Sequence, residues 1–171
     1  MRARHVISGE VHVAPHGLNL AVRVLVLDYA ALALQGSVMA HFQTPYTACD
    51  LTLLAAIFIG LRLGPARGAA NGLLLGLTGG ALMAEPTGIP ALIAFMLGWV
   101  AGASREGFQV ERRAIRVWLA LSLLVAGEIV SMLLQLIVWQ RLPVVLPLSL
   151  ILYALLAPAV ESTVGWLLPE D

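Results

Sequence analysis

Residues 50–84 read DLTLLAAIFIGLRLGPARGAANGLLLGLTGGALMA, and Asp50, Arg62 and Arg67 are the charged side chains in that run. A helix at a water-facing surface carries a polar stripe on every turn. Here whole turns pass without a charge, so the stretch is read as membrane-embedded. Gly64-Pro65 interrupts it, which predicts two helices in succession, at about 48–63 and 67–84. The same alternation of apolar run and polar break fills the rest of the chain. Helices are predicted at about 18–40, 88–104, 114–138 and 148–168. The breaks are Gln43-Thr44-Pro45-Tyr46, Glu85-Pro86-Thr87, the polar stretch from Ser104 to Arg113, and Trp139 to Pro147.

Composition carries the same message. Hydrophobic residues make up 60% of the 171, charged residues 12%, and the mean hydropathy is +0.90. A soluble domain needs more charge than this on its surface. Six spans of roughly 20 residues with short loops fit the length closely. The expected fold is an all-α integral membrane protein, a six-helix transmembrane bundle over residues 18–168, with cytoplasmic tails at 1–17 and 169–171. No cleavable signal peptide is expected, because the first apolar run starts near Leu18 behind a polar tail. Cys49 is the single cysteine, so an intrachain disulfide is excluded.

Arginine placement sets the expected orientation. Arg2, Arg4, Arg62, Arg67, Arg105, Arg112, Arg113 and Arg116 fall on the N-terminal side, against Arg141 on the other. The positive-inside rule then puts both termini in the cytoplasm. Trp118, Trp139 and Trp166 lie near predicted helix ends, where an indole buries its ring and hydrates its N–H.

Glycines recur at every fourth position from Gly60 through Gly64, Gly68, Gly72, Gly76 and Gly80. On the third helix this forms a ridge that lets another backbone approach closely, as association in lipid requires. Gly98 and Gly102 make a smaller version on the fourth. Two uses are open: packing within the bundle, or a docking groove on helices 2 to 4 for a partner's transmembrane segment.

Ionisable groups inside a membrane are functional candidates. Asp50, in Thr47-Ala48-Cys49-Asp50, has the spacing of a capping box and suits the start of the second helix. Arg23 and Asp28 share the first helix, and Glu161 lies on the sixth, roughly 10 Å from the same face at 1.5 Å per residue. Arg23 is expected to pair with Asp28 or Glu161, tying helices 1 and 6. Glu128, near the middle of the fifth helix, has no arginine at its depth. It is read as a hydrogen-bonded structural glutamate, with a ligand or partner contact and a proton relay as alternatives.

Signatures of catalysis are missing: no HExxH, GxSxG, P-loop or dinucleotide fingerprint occurs. No catalytic, cofactor-binding or metal-ligating residues are therefore assigned. His5, His12 and His16 sit in a short tail with Pro15, His41 reads as interfacial, and no basic-aromatic surface points to nucleic acid.

Several motifs resemble one family. Cys49-Asp50-Leu51, Gly64-Pro65-Ala66-Arg67-Gly68, Gly72-Leu73-Leu74-Leu75-Gly76-Leu77, Gly88-Ile89-Pro90-Ala91-Leu92 and Gly98-Trp99-Val100-Ala101-Gly102 resemble the bacterial rod shape-determining protein MreD, over roughly residues 20–140. Leu32-Ala33-Leu34-Gln35-Gly36-Ser37 looks like that family's first span. Cys49 stands where the family usually has proline, and Gly80 where it commonly has aspartate. The resemblance implies a fold similar to the S components of energy-coupling-factor vitamin transporters. It implies a bacterial inner-membrane location and a non-enzymatic scaffold in the cell-elongation machinery for peptidoglycan. The implied partners are an MreC-like single-span protein, a RodA-type glycosyltransferase with its transpeptidase, and an MreB-like filament. The alternative on the same fold is a solute-binding transporter subunit, whose pocket would draw on Asp50, Asn71, Glu85, Glu128 and Gln135.

Overall fold

The computed structural model describes residues 16–39, 50–82, 88–107, 112–139 and 147–168, and these are all-helical. Helix α1 spans His16–Leu34 and continues through one π-helical turn, Gln35–Met39. Then follow α2 (Leu51–Leu63), α3 (Pro65–Leu82), α4 (Gly88–Gly107), α5 (Arg113–Trp139) and α6 (Pro147–Leu167). The six helices fall within a few residues of their sequence positions. His5, His12, His41, Glu85, Arg141 and most of the two expected tails lie outside the described residues.

Stretches of α1, α4, α5 and α6 are long and apolar enough to cross a membrane. The other two helices fall short for different reasons. Helix α3 is diluted by glycine. Helix α2 has 13 residues and spans roughly 20 Å, against a hydrocarbon core of about 30 Å. Its place in the bundle explains why a short helix suffices. Helix α2 packs against each of the other five, and Leu51 to Arg62 are all buried. Phe58, Ile57, Ile59 and Leu54 form the centre of the core, with Leu124 of α5, Tyr153 of α6 and Leu97 of α4 around them.

The turn from α2 to α3 is a single residue. Gly64 takes φ +90° and ψ 177°, a region open almost only to glycine. Pro65 then starts α3, where a missing N–H costs nothing.

The glycine ridge faces inward. Gly68, Gly72, Gly76 and Gly80 of α3 are buried. A Cβ on Gly72 would overlap the Ala94 carbonyl, and one on Gly76 would meet the Ala91 backbone. Gly60, Gly68 and Gly98 bring α2, α3 and α4 together at one point: a Cβ on Gly60 or Gly68 would collide with the Gly98 carbonyl. Gly102 lies equally close to Gly64 and Pro65. Of the two uses open for the ridge, packing within the bundle is the one seen: at Gly68, Gly72 and Gly76 the space a partner helix would take is filled by α4.

Candidate functional site

Helix α2 poses a problem that locates the polar residues. A short helix inside a bundle ends before it reaches water, and its end groups need partners within the protein. At its start Asp50 is the N-cap, accepting from the N–H groups of Thr52 (2.9 Å) and Leu53 (3.3 Å). The N–H of Leu51 donates to Gln35 Oε1 at 2.8 Å, from the π-helical turn of α1. The N–H of Asp50 donates to the Tyr153 hydroxyl of α6 at 2.8 Å. Capping was expected here, but with Thr47 as the cap and Asp50 three residues in. Asp50 itself caps, and Thr47 lies outside the described residues.

Tyr153 also explains Glu128. Its hydroxyl donates to Glu128 Oε1 at 3.3 Å, so this glutamate is hydrogen-bonded between α5 and α6. Tyr153 is fully buried. Removing its hydroxyl in Tyr153→Phe takes the acceptor from the Asp50 N–H and the donor from Glu128. A loss of about 1–3 kcal/mol is expected, the cost of unsatisfied buried polar groups. Denaturant unfolding in micelles measures it, and wild-type stability would contradict this account of the cap.

At the other end of α2 the arrangement is ionic. Glu161 of α6, whose side chain is 3% exposed, is clasped by three arginines from two other helices. Arg62 Nη2 of α2 lies 3.0 Å from Oε1, Arg116 Nε of α5 lies 3.0 Å from the same oxygen, and Arg113 Nε lies 2.7 Å from Oε2. Arg62 also donates to the Leu168 carbonyl at 2.9 Å, and Arg113 to the Pro158 carbonyl at 2.9 Å. Gly165, one turn beyond Glu161, leaves the space through which the Arg62 guanidinium passes. Arg105 of α4 donates to the Arg62 carbonyl and closes the C-terminal end of α2. Helices α2, α5 and α6 are thus joined through one carboxylate and its arginines, and α4 is tied on through Arg105 and the Arg62 carbonyl.

The expected pairing of Arg23 is corrected. It meets neither Asp28 nor Glu161; its Nη1 donates to the Leu167 carbonyl at 3.3 Å, at an exposed site. Helices α1 and α6 are tied as foreseen, but through backbone. Asp28 instead accepts from Asn71 Nδ2 at 3.0 Å, linking α1 to α3, and both residues are buried. The acidic candidates therefore divide into three places: Glu161 with its arginines, Asp28 with Asn71, and Asp50 with Glu128 around Tyr153. Among the described residues no three His, Cys, Asp or Glu side chains come together to hold a metal.

Arg62, Arg113 and Arg116 were read from the sequence as topology signals alone, and Gln35 and Tyr153 were not singled out. One signal was present: Glu161 lies about one and a half turns inside its helix, and Arg62 and Arg116 each lie within a turn of a helix end on the same side.

No family model, curated protein or solved structure matches this chain.

Proposed function

We propose that this chain is a non-enzymatic, multi-pass scaffold of the bacterial inner membrane, acting in the cell-elongation complex that builds peptidoglycan. One observation carries the scaffold part: Asp28, Asp50, Glu128 and Glu161 are each engaged in a hydrogen bond or ion pair within the bundle, and Arg23 bonds a backbone carbonyl of α6 at an exposed site. Intramembrane polar groups that serve a substrate converge on it; these hold helices to one another or, at Asp50, cap one. The elongation part rests on the glycine and Gly-x-x-Ala-Leu motifs that resemble the MreD family.

In this reading all six helices cross the bilayer with both termini cytoplasmic. The clustering of Arg62, Arg105, Arg113 and Arg116 at one end of the bundle supports that orientation. Helix α2 lies in the middle as a shielded core, its end groups met by Gln35, Tyr153 and Arg105 of the surrounding helices. Because α4 covers the glycine ridge, a partner's transmembrane helix docks on the outside. Helix α1 offers a stripe of exposed apolar residues, Val22, Leu25, Val26 and Tyr29, at helical spacing. An MreC-like single-span protein is the expected occupant of such a face, with the RodA-type glycosyltransferase, its transpeptidase and the MreB-like filament in the same assembly.

The test is a pull-down of the tagged protein from membranes solubilised in mild detergent. Recovery of an MreC-like protein or wall-synthesis enzymes is the expected outcome. An ATPase with a coupling subunit, or a tightly bound small molecule without protein partners, would replace the scaffold with the solute-binding subunit.

A further inference from the structure

Arg113 is unlike the other arginines that hold Glu161. Arg62 and Arg116 are buried, whereas the Arg113 side chain is 56% exposed while gripping a carboxylate that is 3% exposed. Its guanidinium lies across the seam of α5 and α6, anchored by Glu161 Oε2 and the Pro158 carbonyl. A guanidinium carries five N–H donors. These two contacts leave donors over at the exposed face. The neighbouring Arg112 is exposed; its carbonyl accepts from the N–H groups of Ile115 and Arg116, but its side chain makes no hydrogen bond or ion pair among the described residues.

What lies below this pair identifies the ligand. Pro158 is exposed, and Leu155 and Ile151 continue from it along one face of α6, exposed to 71% and 55%. The spacing of 151, 155 and 158 makes a continuous apolar stripe running from the guanidiniums into the bilayer. An anchored guanidinium with a second exposed arginine beside it in the chain, at the head of an apolar stripe, has the polarity of a phospholipid. Cytoplasmic leaflets supply anionic ones, and basic recesses between membrane helices hold such headgroups.

We propose that Arg112 and Arg113 bind the phosphate of an anionic phospholipid at the α5/α6 seam, with an acyl chain laid along Pro158, Leu155 and Ile151. The site rests on the membrane orientation proposed above but not on the elongation complex, so the pull-down and the lipid test fail independently. Arg113 fixes the position because it is itself held in place. Arg112 adds a second, exposed charge that no described side chain engages.

The experiment is native mass spectrometry of the full chain released from bilayers of equal phosphatidylglycerol and phosphatidylcholine. Retained phosphatidylglycerol is expected on the wild type. Arg112→Gln should lower its occupancy about fivefold, the effect of one basic residue at an anionic surface. Arg67→Gln is the control, since Arg67 is also exposed and without a partner among the described residues, but lies on α3. Its occupancy should stay at the wild-type level. Equal retention of the two lipids, or an equal fall in both variants, would overturn the site. So would displacement of the lipid by excess inorganic phosphate, which would make it a site for free anions.

Discussion

Glu161→Ala is expected to cost about 3–5 kcal/mol of stability and to leave little folded protein in membranes. The reason is not that the ion pairs contribute a large net gain, since burying charges consumes most of what their attraction returns. Removing one partner is what costs: the buried guanidiniums of Arg62 and Arg116 would lose their shared carboxylate inside the bundle. Glu161→Gln keeps the shape and removes the charge, so it should fall nearly as far. Arg113→Gln is the informative contrast. Its side chain is more than half exposed, and solvent screening holds its ion pair to about 0–1 kcal/mol. Thermal unfolding of the three variants in one detergent gives the ordering. An Arg113 variant as damaged as Glu161→Ala would show that the clasp depends on all three arginines equally.

The second large effect is steric. Gly72→Ala adds one methyl where the Ala94 carbonyl already lies, and a backbone atom cannot swing aside as a side chain can. Overpacking of this kind costs about 1–3 kcal/mol and more when backbone must move. The expected result is separation of α3 from α4, seen as loss of folded protein by size-exclusion chromatography. Gly36→Ala is the matched control, because nothing lies within 4 Å of the added carbon. It should be neutral or gain about 0.5–1 kcal/mol, the entropy that glycine gives up in a helix. Equal behaviour of the two variants would mean that the ridge is not packed as described.

The helices were legible because nothing but apolar length and Gly/Pro punctuation was needed to find them. Gly64-Pro65 marked the α2–α3 turn within two residues, and the fourfold glycine spacing marked a close helix contact. Direction was the part the sequence could not supply. The same ridge suits a partner helix or a neighbour in the bundle, and the choice depends on where α4 folds back. Pairing of charges failed for a related reason. Arg23 and Asp28 are near in sequence and so looked like partners, but five residues on a helix place two side chains on different faces. Arg62 and Arg116, 54 positions apart in the chain, meet at Glu161 because α2 ends and α5 begins beside α6. Tyr153 was invisible as a cap, since a tyrosine in an apolar helix reads as core until the start of α2 is seen beside it.

Helix α2 is enclosed by the other five helices, and carbene photolabelling from within the bilayer tests that most directly. A lipid-soluble diazirine, activated in proteoliposomes and located by peptide mass spectrometry, reports which side chains face lipid. The enclosed helix predicts heavy labelling of α5 and α6, at residues such as Leu133, Ile137, Ile151 and Leu155, and almost none over Leu51–Leu63. Labelling of α2 as strong as that of α5 would contradict it, and with it the reading of both capped ends.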